Sequence, residues 1–593
     1  MDDGARSLGA TGNRQGMPRA QPGKSWSRTL IWLPALFAAL VYLPLNTNRA
    51  VIDYDEGYYA QPALHMARHG DWVTPLANGV RFLEKPPLAY WLSAASFRIF
   101  GINEFALRLP TSLGVVALVW IVTLTARRAS GERAALVAGL STAFSAGTFL
   151  FTREALHDIW LVLFLSLAMY AFLEWHLDSR HPLRPALLFY AALAGAAMSK
   201  SLVGVAFPVG TAAVFFLLVH ERPAWRSLHV LPGSLLFLAL TVPWHVLAAI
   251  RNRGFLWYFF VNEQVLRFFG KHDPSVVWSL PLLAFWLLLL VWFFPWTAFL
   301  PAAYEAARKQ ADPSRHALVM LALAWAGVIL GFFSISGRLE HYAFPALPAL
   351  SLLVGVALGG FEKSRTIKWG FGALAGLGVA LLAGGIITGI WFSAAGTGSA
   401  TGTRTNVISE TDFSILAEMP SSIIRDLSKP AAVTVGTLAL GFLAALWLDA
   451  RQRRLQAVLC VSAAMMVVCG MVHWSLTICE GMISSKRFGL AIAANAAPGD
   501  RVVVMGDYES ANSLNFYEPW PVEVCGGVAY ALMPGMKYPD APQIVLTQKE
   551  FETVWKSPES RVFALVPKAR LGDLTPAGME ILRVLDRVLV RNH

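Results

Sequence analysis

Residues 278–300 read WSLPLLAFWLLLLVWFFPWTAFL, 23 consecutive positions without a charged side chain. At about 1.5 Å per residue, a helix of that length matches the hydrocarbon thickness of a bilayer. A helix packed on a soluble core would carry a polar face, and this one has none. Working outward, comparable apolar runs lie at 30–45, 108–126, 134–152, 158–175, 186–199, 202–219, 229–250, 317–334, 341–360, 369–392, 431–449 and 455–475. Together they predict an α-helical polytopic membrane protein with about thirteen transmembrane helices. Of the 593 residues, 55% are hydrophobic and only 15% are charged, against about 25% charged in an ordinary soluble domain. That balance excludes disorder, collagen and coiled coil. Four cysteines are too few for a disulfide scaffold.

The net charge of +11 suggests nucleic acid only until its residues are placed. With the N-terminus inside, the cytoplasmic loops fall at 127–133, 176–185, 220–228, 301–316, 361–368 and 450–454. All are short and basic, with Arg127, Arg128, Arg133, Lys309, Arg315, Lys368, Arg451 and Arg453 among them. The surplus is therefore mainly a topology signal, and no nucleic-acid partner is expected. Residues 1–28 read as a disordered cytoplasmic tail. The run at 30–45 reads as a retained signal anchor, because no small-x-small cleavage site follows it. An odd number of spans puts the termini on opposite sides.

The expected division is a tail at 1–28, a transmembrane domain at 29–475 with an outer loop at 46–107, and an outer α/β domain at 476–593. In the outer loop, Ala60–Gly70 and Pro86–Gly101 read as amphipathic helices in the interface, with Trp91, Phe97 and Phe100 toward lipid. In the last region, Ser485–Asn495 reads as helix and Arg501–Gly506 as a buried strand ending in a turn. Gly506 stands alone, without a dinucleotide or P-loop fingerprint.

Ionisable groups beside membrane spans are costly and mark candidate sites. Asp53, Asp55 and Glu56 crowd three carboxylates into four residues. Such a group can take a proton from a hydroxyl or hold a cation; the plain alternative is a solvated acidic loop. Arg81-Phe-Leu-Glu84-Lys85-Pro86-Pro87 offers an ammonium suited to a phosphate, or a lysine snorkelling to headgroups. Asp158, closing Arg153-Glu154-Ala-Leu-His157-Asp158, is either a helix cap or a carboxylate level with Asp55. Lys200, Asn262-Glu263-Gln264, Arg267, Lys271, His272 and the stretch 336–342 (SGRLEHY) add cations and polar groups on the same side. The pattern suits an amphipathic substrate with an anionic head, such as a lipid phosphate carrying a sugar.

These residues also carry a resemblance. Residues 53–110, from DYDEGYYAQPAL through FLEKPPLAYW to FALRLP, resemble the first outer loop of bacterial aminoarabinose transferases. Those enzymes belong to the protein-O-mannosyltransferase-like membrane glycosyltransferases. The resemblance continues through REALHD at 153–158 and PWHVLAAIRNRGFLWYFFVNEQVLRF at 243–268, and weakly into the outer domain. It implies a GT-C fold with a C-terminal α/β periplasmic domain, in the bacterial inner membrane with the active site in the periplasm. It implies a polyprenyl-phosphate sugar as donor, usually undecaprenyl phosphate, transferred with inversion to lipid A or another lipid or glycan acceptor. The chain would then be a pentosyl- or hexosyltransferase in contact with membrane lipid. By the family pattern Asp55, Asp158, Glu84 and Lys85 are catalytic; Tyr59, Arg81, Lys200, Arg267 and Tyr342, read from the residues themselves, are expected to bind substrate.

Two departures bear on this. The family usually has a His after N-E that joins Glu84 in holding a metal; here the position is Gln264, which leaves a divalent-metal site short of a ligand. No other cofactor is implied. The usual K-L-P-x-Y motif is replaced by GRLEHY at 337–342. The rival class is a transporter or flippase of a lipid-linked anion, but such proteins tend to carry charge or broken helices at the midplane. Cys479 and Cys525 could pair in an oxidising compartment, or stay free.

Overall fold

The computed structural model describes residues 31–593 except 154–156, 179, 222–224, 275–278, 310, 361–363, 395–418 and 576–577. The tail at 1–28 and Glu154 lie outside the described residues. Each of the thirteen apolar runs falls on helix. Among the described residues, eight helices are long and apolar enough to cross a membrane. Counting Leu282–Trp292 and Trp296–Arg308, bent by 95°, as one span makes nine; Leu33–Asn46 and Val203–Val219 are apolar but shorter. The run at 108–126 and the first part of the run at 134–152 join in one element, Glu104–Ala143, broken at Gly131 with φ 82°, and the rest of the second run forms Ala146–Phe151. Only glycine reverses direction there without strain, so the basic loop at 127–133 closes in a single turn. The spans share one apolar core in which Trp296 and Trp325 are fully buried.

The C-terminal region forms a six-stranded sheet. Its order is Val545–Leu546, Val522–Cys525, Arg501–Met505, Val562–Pro567, Arg587–Arg591, Met579–Val584. The first four strands pair in parallel and the last two antiparallel. A parallel strand covered on both faces reads as a continuous apolar run, as Val502–Met505 does. Val502 and Val504 point into one core with Tyr58, Phe82 and Phe97 of the outer loop. Val503 and Met505 point into the other, with Phe551 and Trp555.

That shared core overturns one expectation. Phe97 is 3% exposed and lies 6.0 Å from the ring of Phe516, so it does not face lipid. Trp91 donates its Nε1–H to the carbonyl of Trp72 at 2.8 Å; of the three aromatic residues only Phe100, half exposed, fits the expectation. An apolar stripe does not say which apolar surface will cover it, and here the sheet competes with lipid and wins. The outer helices, Asp55–His69 and Leu88–Phe100, thus sit between the spans and the sheet. All four cysteines are free thiols.

Candidate active site

The acidic run after the first apolar helix is divided by its backbone. Asp53 is buried. Its carboxylate accepts from the Ser513 amide and the Ser485 hydroxyl, both at 2.9 Å, and lies 3.5 Å from Arg587. Burial pushes this carboxyl up to about 6, against Arg587 and the two serines. Tyr54 takes φ 68°, a conformation costly for a side chain of its size. It is held there by its N–H on the Glu509 carbonyl at 3.0 Å and its carbonyl on the Asn512 amide at 2.7 Å. The helix starting at Asp55 then turns Glu56 inward, where Arg108 grips it at 2.6 and 2.8 Å. Burial alone would raise Glu56; Arg108 and Arg49 hold it below its usual value. Gly57 keeps this helix against the outer domain, since a Cβ there would meet the Asn512 Oδ1 at 2.1 Å.

Asp55 differs from both neighbours. It makes no hydrogen bond or ion pair among the described residues and opens into a cleft of about 500 Å³. Water reaches the carboxyl through the cleft, but protein surrounds it on most other sides. That crowding, and then the negative charge of Glu84, push it up to about 6, against Lys85. A carboxylate of that kind is ionised near neutral pH and still basic enough to take a proton.

Across the cleft, cations and carboxylates are paired. Pro86 and Pro87 precede the helix at Leu88 and leave Lys85 bonded to Glu84. Arg267 bridges Glu84 at 3.4 Å and Glu263 at 2.7 Å. Burial alone would raise Glu84; Lys85 and Arg267 outweigh it and hold this carboxyl well below its usual range. Lys200, the last residue of its helix, pairs with Asp158, the first residue of the next helix over, as the two helix dipoles favour. The Lys200 ammonium also sits 5.1 Å from the Tyr342 ring centre. Tyr59 lines the cleft and packs edge-on against the buried ring of His157 at 4.6 Å, with Tyr90 on His157 at 4.7 Å.

A narrower groove of about 130 Å³ leads off the cleft, walled by Leu161, Val203, Phe207, Phe268, Phe332 and Phe333. Groove and cleft meet at Lys85, Lys200, Arg267 and their carboxylates, beside Tyr342. An apolar channel therefore runs into a cluster of cations. Of the predicted site residues, Asp55, Tyr59, Glu84, Lys85, Asp158, Lys200, Arg267 and Tyr342 all gather here. Arg81 does not. Its guanidinium forks onto Asp540 at 2.6 and 2.9 Å, reaches Asn252 at 2.9 Å and covers the ring of Tyr538.

The residues do not fit the metal that the resemblance suggests. Glu84 is already satisfied by Lys85 and Arg267, and Gln264 lines the apolar groove. Among the described residues no three His, Cys, Asp or Glu side chains gather to hold an ion. Sequence reasoning also passed over one wall of the cleft, formed by Asp507, Glu509 and Tyr530 of the sheet region. Glu509 accepts the Tyr58 hydroxyl at 2.6 Å. Nothing in their local sequence separates them from ordinary loop residues.

Comparison with known proteins gives the same picture. Residues 84–246 match the family of dolichyl-phosphate-mannose-protein mannosyltransferases. An uncharacterised protein of Aquifex aeolicus is 30% identical over 346 residues, 58% of this chain and 75% of that one. The undecaprenyl phosphate-alpha-4-amino-4-deoxy-L-arabinose arabinosyl transferase of Yersinia enterocolitica is 32% identical over 336 residues, 54% of this chain and 58% of that enzyme. The crystal structure of ArnT from Cupriavidus metallidurans bound to undecaprenyl phosphate superposes with a TM-score of 0.79 at 26% identity, covering 96% of this chain and 99% of that one. A fold held in common over nearly the whole length, with a family match in the N-terminal half, makes this chain an aminoarabinose transferase-like member of the protein-O-mannosyltransferase-like (GT-C) family of membrane glycosyltransferases.

Proposed function

We propose that the chain transfers an aminoarabinose-type sugar from undecaprenyl phosphate to lipid A, on the periplasmic face of a bacterial inner membrane with its N-terminus in the cytoplasm. The observation that carries this reading is the apolar groove ending at Lys85, Lys200 and Arg267, with the ionisable Asp55 free in the cleft beyond. A prenyl chain suits the groove, its phosphate the cations, and its sugar the cleft. The solved relative described above was captured with undecaprenyl phosphate.

In this mechanism the acceptor oxygen attacks the anomeric carbon in line with the sugar–phosphate bond. The new C–O bond forms as the old one breaks, and the anomeric centre inverts. The electron pair leaves on the lipid phosphate, where Lys85, Arg267 and Lys200 meet the growing negative charge already oriented by their carboxylates. The acceptor's proton passes to Asp55. Where the acceptor is itself a phosphate it arrives ionised, and Asp55 orients it instead. Asp158 acts here by setting the Lys200 ammonium, and Tyr59 and Tyr342 bound the sugar.

The test is mass spectrometry of lipid A and polyprenyl phosphates in wild-type and Asp55→Asn cells. Loss of an aminoarabinose mass from lipid A, with build-up of the prenyl-linked sugar, supports the reading. Unchanged lipid A with build-up of the donor moves the acceptor elsewhere. No change in either pool favours the transporter class.

A further inference from the structure

Resting on that reading, we propose that a separate cavity beside Arg81 holds the phosphorylated saccharide head of the lipid acceptor. The cavity is about 290 Å³ and lies between the Trp257–Leu266 π-helix, the outer loop and the sheet region. It meets the reaction cleft at Glu84, Tyr258, Ala531 and Pro534. With the apolar groove it shares only Glu84. A molecule seated here reaches the cleft without crossing the donor's channel. In-line displacement needs this, because nucleophile and leaving phosphate must approach the sugar from opposite sides.

The lining matches an anionic sugar at the membrane surface. Arg253 is exposed and makes no ion pair or hydrogen bond among the described residues, so its charge is uncommitted. Arg81 and Lys537 carry partners, Asp540 and Asp273, that are themselves largely exposed. Trp257 and Tyr258 offer flat faces to a saccharide ring. Trp257 is 59% exposed and its neighbour Leu256 49%. Aromatic side chains of this kind prefer the level of lipid headgroups. The pocket therefore combines an interfacial apolar edge with a free guanidinium, which suits a lipid whose head bears phosphate. Arg presents a planar fork to phosphate oxygens that a lysine lacks.

The test uses the purified full chain in detergent, with bisphosphoryl and dephosphorylated lipid A as probes. Equilibrium binding is measured first, without donor. Wild type is expected to bind the bisphosphoryl form about tenfold tighter, as a charge-assisted bond to phosphate predicts. Arg253→Ala removes that preference, and Trp257→Ala weakens both probes. In turnover, Arg253→Ala raises the KM for lipid A about tenfold and leaves the KM for the prenyl-linked donor as it was. If Arg253→Ala weakens both probes equally, or neither, the inference is overturned. Tight phosphate-dependent binding without any transfer overturns the proposed function instead and leaves the pocket assignment standing.

Discussion

Asp53 and Arg587 approach to 3.5 Å, tying the turn after the first apolar helix to the last strand of the chain. Arg587 also donates to the Ser484 carbonyl and the Ser485 hydroxyl at 3.0 Å and to the Ser510 carbonyl at 3.1 Å. The C-terminal sheet is therefore part of the candidate site's frame. It holds the strained Tyr54 that turns Asp55 into the cleft.

Removing Arg587 should act on stability first. Arg587→Ala leaves Asp53 buried without its cation and frees several carbonyls. The expected loss is about 3 kcal/mol, the lower end for a broken buried pair because Arg587 keeps some contact with water. Arg108→Ala should cost as much or more, since it strands the fully buried Glu56. Thermal unfolding of the purified chain in detergent checks both. A melting point within a degree of wild type would contradict them.

Asp55→Asn should separate from these. The side chain is exposed to the cleft and makes no bond that folding depends on. The melting point should hold, while kcat/KM falls by about 10² to 10⁴, the range of a lost general base. Asp53→Asn, two residues away, should lower stability before rate.

The pH profile follows from the position of Asp55. Its carboxyl is raised to about 6, and only the ionised form accepts a proton. Activity should fall tenfold per pH unit below about 6 and level off above it. Asp55→Asn should abolish that limb and leave a flat residual rate. An acid limb near 4 would mean that the crowding by burial and Glu84 is not felt.

Chelation should leave the rate unchanged. Glu84, the carboxylate that the family resemblance assigns to a metal, is taken up by Lys85 and Arg267. Transfer measured with and without EDTA, after metal-free purification, checks this. Restoration of a lost rate by zinc would show that Glu84 exchanges its cations for a metal. Lys85→Ala should raise the donor KM; Lys85→Met, which keeps the packing without the charge, should do the same.

The sites that were legible in the sequence are those where chemistry is stated by local spacing. Glu84-Lys85-Pro86-Pro87 places a charge pair next to a helix start, and Asp158 begins a helix directly after His157. Asp55 could not be told from Asp53 and Glu56 in this way. Three adjacent carboxylates have the same local signature, and their environments differ only because Arg587 and Arg108 arrive from 534 and 52 positions away, taking the difference in residue number. The place of Arg81 outside the cleft was not legible for the same reason, as its partner Asp540 belongs to a distant segment. Phe97 was assigned to lipid because its amphipathic helix looks alike whether it meets hydrocarbon or a protein sheet.

By itself, the sequence determined that this is a membrane protein of many helices with an α/β region at its C-terminal end. Apolar run length, basic loops and alternating strand character are local properties that water and bilayer act on directly. Tertiary structure alone decided which carboxylate is free, which cation faces the groove, and that Asp507, Glu509 and Tyr530 wall the cleft. Those outcomes depend on burial and on pairing across hundreds of residues. A charge buried beside a partner and a charge open to a cleft differ only in what the folded chain brings next to them.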